Sequence, residues 1–174
     1  MHILDDINYI KRFDKSDMSD ILCDFPSQCQ DAKRIGLEFK RRLKDTRYNI
    51  VFCGMGGSAI GGDLVNCYLK NELDIPIFVN RNYTLPYFAK NDTTLLFISS
   101  YSGNTEEAIN IYRLAKKLKI NPIVITSGGR LEDLAKNDGF DLIKIPQNYQ
   151  PRCALGYSFL SPLLCLYKLG LIDD

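Results

Sequence analysis

Three hydroxyl side chains, Ser100, Ser102 and Thr105, stand within six positions around Gly103 and directly before Glu106-Glu107. An apolar run precedes them and a helical pattern follows, so the chain turns here from strand to helix. The helix points its free N–H groups into the space that the hydroxyls surround, and glycine permits the dihedrals that such a turn needs. This grouping suits a phosphate monoester. A single hydroxyl would serve as a helix cap, with Glu106 and Glu107 complementing the dipole; three around one turn favour the anion.

A second strand-to-helix turn reads Gly54-Met55-Gly56-Gly57-Ser58-Ala59. Its glycines let the backbone come close to a ligand, and Ser58 adds a hydroxyl donor. Downstream, Gly61-Gly62-Asp63 places two glycines inside the helix, each costing about 1 kcal/mol relative to alanine; close packing against a neighbouring segment would account for them. Thr126-Ser127-Gly128-Gly129 ends another strand, and turn chemistry alone accounts for it equally well. Arg152, in Gln150-Pro151-Arg152-Cys153-Ala154, follows the last strand and opens the last helix. From spacing alone, it either reaches a ligand at the strand ends or lies on the surface.

The elements that must carry these turns are legible as alternating patterns. Residues 49–53, 75–79, 94–98, 122–126 and 141–145 are rich in β-branched and aromatic types. Several are apolar nearly throughout, as strands buried on both faces are. Helical spacing runs over 58–69, 106–118, 131–136 and 154–169, with Pro162 inside the last, where it would kink the helix or delay its start. The alternation predicts an α/β fold, a three-layer αβα sandwich around a parallel sheet of five strands, with ligands at the carboxyl ends of the strands. Ile21-Leu22, Ile35, Leu37, Phe39 and Leu43 predict that residues 1–47 form a helical segment packing on the sheet. Residues 48–174 then form one domain.

Composition removes several classes of function. The chain has 174 residues, 22 Lys+Arg against 21 Asp+Glu for a net charge of +1, and 45% hydrophobic residues. Those are the proportions of one ordinary globular domain, without the basic excess that nucleic-acid binding requires. No stretch approaches the ~20 apolar residues that span a bilayer, and Met1–Asp6 lacks a signal-peptide pattern, so a cytoplasmic protein is expected. Six cysteines without a C-x-x-C pair and a single histidine, His2, argue against a metal site; the cysteines read as buried small hydrophobes. Gly54-x-Gly56-x-x-Ala59 satisfies the loose dinucleotide fingerprint. The second strand, however, ends in Asn80-Arg81 rather than in an acid for the NAD ribose, so only NADP remains, and that reading leaves the Ser100–Thr105 loop unused. An FMN-binding flavodoxin would carry such a loop after its first strand, not its third. No cofactor is therefore expected.

Taken together, Gly54-Met55-Gly56-Gly57-Ser58, Gly61-Gly62-Asp63, Ser100-Tyr101-Ser102-Gly103-Asn104-Thr105-Glu106, Ile125-Thr126-Ser127-Gly128-Gly129 and Gln150-Pro151-Arg152 resemble the sugar isomerase (SIS) domain. More narrowly, their order across residues 48–170 is similar to the first half of the archaeal-type bifunctional phosphoglucose/phosphomannose isomerases. The resemblance implies a SIS-type, flavodoxin-like sandwich and a hexose 6-phosphate ligand, with glucose 6-phosphate or mannose 6-phosphate interconverting with fructose 6-phosphate. It assigns Gly57 and Ser58 to the sugar, Ser100, Ser102 and Thr105 to the phosphate, and Arg152 to the enediolate.

Aldose–ketose isomerisation needs a carboxylate base over C1 and C2, a cation for the developing oxyanion, and an acid/base group for ring opening. Arg152 supplies only the cation. Glu106 and Glu107 lie at the phosphate end, and His2 is terminal. In the resembling family the base is a glutamate, with a histidine and a lysine beside it, all in a second SIS domain; this sequence stops at Leu171-Ile172-Asp173-Asp174. The expectation is one half of an isomerase, inactive by itself and completed by a second SIS domain or by a homodimer. The alternative is a stand-alone SIS module that binds a phosphosugar without catalysis. An absent domain would also leave apolar surface uncovered, with Phe159, Leu160, Leu163, Leu164 and Leu166 as candidates.

Overall fold

The five apolar runs are strands of one sheet. A computed structural model describes residues 3–40 and 49–173, so that His2, Leu43 and Asp174 lie outside the described residues. β1 (Asn49–Cys53), β2 (Ile77–Asn80), β3 (Thr94–Ser99), β4 (Ile123–Thr126) and β5 (Asp141–Lys144) pair in parallel in the order β2-β1-β3-β4-β5. The register aligns Cys53 with Asn80 on one side and with Ile98 on the other, while Ser99 aligns with Ile125. Every residue of β3 and β4 is buried, as their unbroken apolar character requires. β2 begins at Ile77 rather than Ile75: Pro76 has no N–H to give, although its carbonyl accepts from the Ile50 N–H at 2.9 Å.

Alternate residues feed two cores. Ile50, Phe52, Leu95, Phe97, Ile123, Ile125 and Ile143 face one side, where the Phe52 and Phe97 rings stack at 4.5 Å. Val51, Cys53, Leu96, Ile98 and Val124 face the other. The first face is covered by α4 (Gly57–Leu69), α7 (Leu155–Lys168) and α3 (Phe25–Leu37), and the second by α5 (Glu106–Lys117) and α6 (Gly129–Asp138). This is the three-layer αβα sandwich. Two shorter helices, α1 (Ile7–Lys11) and α2 (Met18–Cys23), precede α3 and bury no residue.

α3 lies along α7, and its end reaches β5. Gly36 permits this approach, since a Cβ there would stand 2.6 Å from the Leu164 Cβ. Leu22 and Leu37 are exposed, contrary to the inward positions that helical spacing suggests. Pro162 does not break α7. It removes the N–H that would bond the Ser158 carbonyl, and that carbonyl faces Gly61 of α4. Gly62 in turn packs on the Phe52 Cβ, so both glycines of the Gly61-Gly62 pair mark close contacts. Because α3 and α4 both cover α7, Leu163 and Leu166 are buried, which corrects their expected exposure; Phe159, Leu160 and Leu164 are half-buried.

All six cysteines are free thiols: Cys53, Cys153 and Cys165 are buried, while Cys23 and Cys67 are exposed. Among the described residues, no helix is long and apolar enough to cross a membrane.

Candidate functional site

Four chain segments leave the carboxyl edge of the sheet beside one another. After β1 the backbone turns at Gly56, whose φ of 51° suits glycine, and enters α4 at Gly57. A Cβ on Gly57 would stand 3.0 Å from the Pro151 carbonyl oxygen, so the start of α4 lies against the short 3-10 helix Pro151–Cys153 that carries Arg152. Ser58 reaches sideways: its Oγ accepts the Tyr101 N–H at 3.1 Å, which joins the first loop to the loop after β3.

In that second loop, Ser100 is almost fully buried, and its Oγ lies 2.8 Å from Thr105 Oγ1 and accepts the Gly103 N–H at 3.2 Å. Ser102 is exposed, and its Oγ accepts the Asn104 N–H at 3.2 Å. Gly103 adopts a φ of 67° and is pressed against the third loop, where a Cβ would stand 2.8 Å from the Gly128 carbonyl carbon. The Tyr101 carbonyl accepts both the N–H (3.1 Å) and the Oγ–H (2.6 Å) of Ser127.

None of these hydroxyls caps α5. Thr105 occupies the N-cap position without a side-chain cap bond, because its hydroxyl turns to Ser100 instead. The starts of α4 and α7 likewise have no side-chain cap, whereas at the start of α6 the Asn104 Oδ1 accepts the Arg130 N–H at 3.0 Å. Three helix N-termini therefore open at the same edge of the sheet, each with backbone donors and a positive dipole end. Arg152 adds a full charge. It is exposed and forms no ion pair or hydrogen bond among the described residues. The structure thus gathers Gly57, Ser58, Ser100, Thr105 and the Arg152 turn, with Ser102 on the outer rim.

Neighbouring carboxylates are engaged elsewhere. Asp63 pairs with Arg81, which also occupies the cation that an NADP reading needs, and Glu132 pairs with Lys136 at 2.7 Å and with Lys144. Glu106 accepts from the Tyr83 hydroxyl at 3.4 Å. The Tyr83 hydroxyl is pushed above its ordinary ionisation range by burial and then by Glu106 and Glu107. Among the described residues, no cluster of three or more His, Cys, Asp or Glu side chains gathers to hold a metal.

Sequence reasoning did not single out three residues that hold this edge. Tyr101 donates its hydroxyl to the Pro146 carbonyl at 3.0 Å and accepts the Tyr149 N–H at 2.8 Å. Gln147 donates to the Ser127 carbonyl at 2.8 Å, and buried Gln28 of α3 donates to the Cys153 carbonyl at 2.8 Å. A large aromatic set between two loop serines was the available signal for Tyr101; a glutamine among the polar residues of α3 gave none.

Comparison with known proteins adds to this geometry. The family model described as "SIS domain" matches residues 33–167. A bifunctional phosphoglucose/phosphomannose isomerase of Caldicellulosiruptor bescii is 44% identical over 157 residues, covering 90% of this chain and 46% of that protein. Its counterpart in Aquifex aeolicus is 44% identical over 126 residues, covering 72% of this chain and 38% of that protein. The chain therefore spans about half the length, or less, of the curated relatives it matches. Among solved structures, a phosphoheptose isomerase from Francisella tularensis superposes with a TM-score of 0.55 at 16% identity, over 97% of this chain and 98% of that one, a likeness of fold alone.

Proposed function

The chain belongs to the SIS domain family, and from that premise we propose that its strand-end loops bind a hexose 6-phosphate and supply part of an aldose–ketose isomerase site. The observation that carries this reading is the uncapped start of α5: three hydroxyls surround it, yet they bond to one another and to loop amides and leave the helix donors to a ligand. A phosphate dianion satisfies those donors and matches the dipole. Ser100, Ser102 and Thr105 hold the phosphate; Gly57 and Ser58 meet the sugar from the neighbouring helix start.

In this reading the substrates are glucose 6-phosphate or mannose 6-phosphate interconverting with fructose 6-phosphate. Proton transfer between C1 and C2 passes through a cis-enediolate, and Arg152, on a turn packed against Gly57, supplies the cation that stabilises its oxyanion. The base must sit over C1 and C2 and keep a free carboxylate. Glu106 and Glu107 stand at the phosphate end, while Asp63 and Glu132 are engaged by cations. We assign the base and the ring-opening group to a second SIS domain or a second copy of the chain, in keeping with relatives about twice as long as the part matched here.

Calorimetric titration with fructose 6-phosphate tests the reading, with fructose, NADP and FMN as controls. Binding should require the phosphate. It should weaken about tenfold or more in Ser102→Ala and in Thr105→Ala, the loss expected for one hydrogen bond to a charged group. Tight NADP or FMN binding without a response to the sugar phosphate would overturn it. Phosphosugar binding together with no turnover after a second SIS domain is supplied would reassign the chain to non-catalytic binding.

A further inference from the structure

Tyr101 stands between two of the proposed phosphate hydroxyls, and it is bonded to the three other segments at the sheet edge. Its N–H goes to Ser58 after β1, its carbonyl receives Ser127 after β4, and its phenol bridges Pro146 and Tyr149 after β5. The last contact is the one that uses the side chain. The phenol closes a four-residue turn at both ends, around Asn148 at a φ of 72°, and Arg152 follows three residues after Tyr149. The rest of that arm is held by the Gln147 bond to Ser127, the Tyr149–Tyr157 ring contact at 5.5 Å and the Gln28 bond to Cys153. Burial pushes the Tyr101 hydroxyl above its ordinary ionisation range, so it stays protonated near neutral pH and keeps its donor role toward Pro146.

From this geometry we infer that Tyr101 is a positioning residue: its phenol fixes the Arg152 arm relative to the Ser100–Thr105 loop, so that a phosphate seated in the loop places the arginine over the sugar. The inference rests on the reading above that the loop takes the phosphate. It deepens that reading by explaining how the two ends of one ligand are sensed together. Inorganic phosphate fills only the loop, whereas fructose 6-phosphate also engages Arg152. The difference in affinity between these two ligands therefore reports the arm.

The test compares wild type, Tyr101→Phe, Arg152→Ala and the double variant by calorimetry with both ligands. Phenylalanine keeps the ring and its packing and removes only the two phenol bonds. We expect inorganic phosphate affinity to change less than about twofold. Fructose 6-phosphate affinity should fall about tenfold in either single variant, and no further in the double variant. Equal losses for both ligands would mean general damage to the site, and additive losses in the double variant would mean that Tyr101 does not act through Arg152; either overturns the inference.

A second measurement needs no variant: saturating wild type with fructose 6-phosphate should slow hydrogen exchange at the Tyr149 amide at least about tenfold, against less than about twofold with inorganic phosphate, and unchanged exchange with the sugar phosphate would overturn the coupling. Failure of wild type to bind either ligand would instead remove the parent reading, and this inference with it.

Discussion

Replacing Gly61 with alanine tests the close approach of α4 and α7 quantitatively. In an exposed helix the change is favourable by about 1 kcal/mol, because alanine loses less backbone freedom on folding. Gly61 is buried, however, and a Cβ there would run into the Ser158 carbonyl, with its carbon at 2.5 Å and the Ser158 Cβ at 2.9 Å. The obstacle is backbone. It belongs to a helix whose Cys165 and Leu166 are fully buried and whose other side is met by Gly36 of α3, so α7 has nowhere to retreat. Overpacking against backbone costs about 3 kcal/mol, the upper part of the usual range. The net destabilisation is then about 2 kcal/mol, or roughly 4–8 °C in Tm for a chain of this size. Urea and thermal unfolding measure it, with Asn66→Ala, an exposed position on the same helix, as the control in which alanine should be neutral or stabilising. A Gly61→Ala protein as stable as wild type would refute the close-packing argument.

Other outcomes follow from single features. Ser161 is fully buried, and its hydroxyl has no hydrogen-bond partner among the described residues, so Ser161→Ala should stabilise the protein by up to about 1 kcal/mol in urea unfolding; a loss instead would show that the hydroxyl is bonded. Hydrogen bonds from Lys136 and Lys144 hold Glu132 below its ordinary value of 4.5. A lowered carboxylate contributes stability above its unfolded value and loses it as pH falls through the folded one. Glu132→Gln should therefore flatten the acid limb of the stability profile below pH 4.5 and leave the slope near neutrality unchanged. Thiol alkylation of the native protein should modify Cys23 and Cys67 and spare Cys153, Cys165 and Cys53, the last pushed up to about 12 by burial; all six should react after denaturation.

The sheet was legible because β1, β3 and β4 are buried on both faces, which leaves unbroken apolar runs that compete poorly with any helical pattern. The loops at its edge were legible because glycines and hydroxyl residues crowd into strand-to-helix turns where the backbone must bend sharply and meet an anion. What failed to show was whatever depends on a distant partner. Leu166 reads as an exposed residue of a last helix until α3 and α4 close over it, and Leu37 reads as core until its side of α3 proves to face solvent while Gly36 beside it packs on α7. Pro162 signals a break by local rules. It is tolerated because the carbonyl it deprives of a bond abuts a glycine of another helix. Gln28 and Tyr101 hold the Arg152 turn through contacts 125 and 48 positions away in sequence, to Cys153 and Tyr149, which no local pattern encodes.

The meeting of Gly103 with Gly128, and of Gly129 with Ser102 and Asn104, also limits how this loop can be moved or assembled. Backbone rests on backbone there, so the Ser100–Thr105 turn takes its shape from the turn after β4 as much as from its own residues. The Leu131 N–H bond to the Gly103 carbonyl at 2.9 Å and the Arg130 N–H bond to Asn104 Oδ1 at 3.0 Å close the same seam. During synthesis the loop emerges well before its mould, so its final form must wait until β4 has docked beside β3. A graft of the six-residue turn into another strand-to-helix junction would carry the hydroxyls without the shape; the smallest transplantable unit runs from β3 through the start of α6.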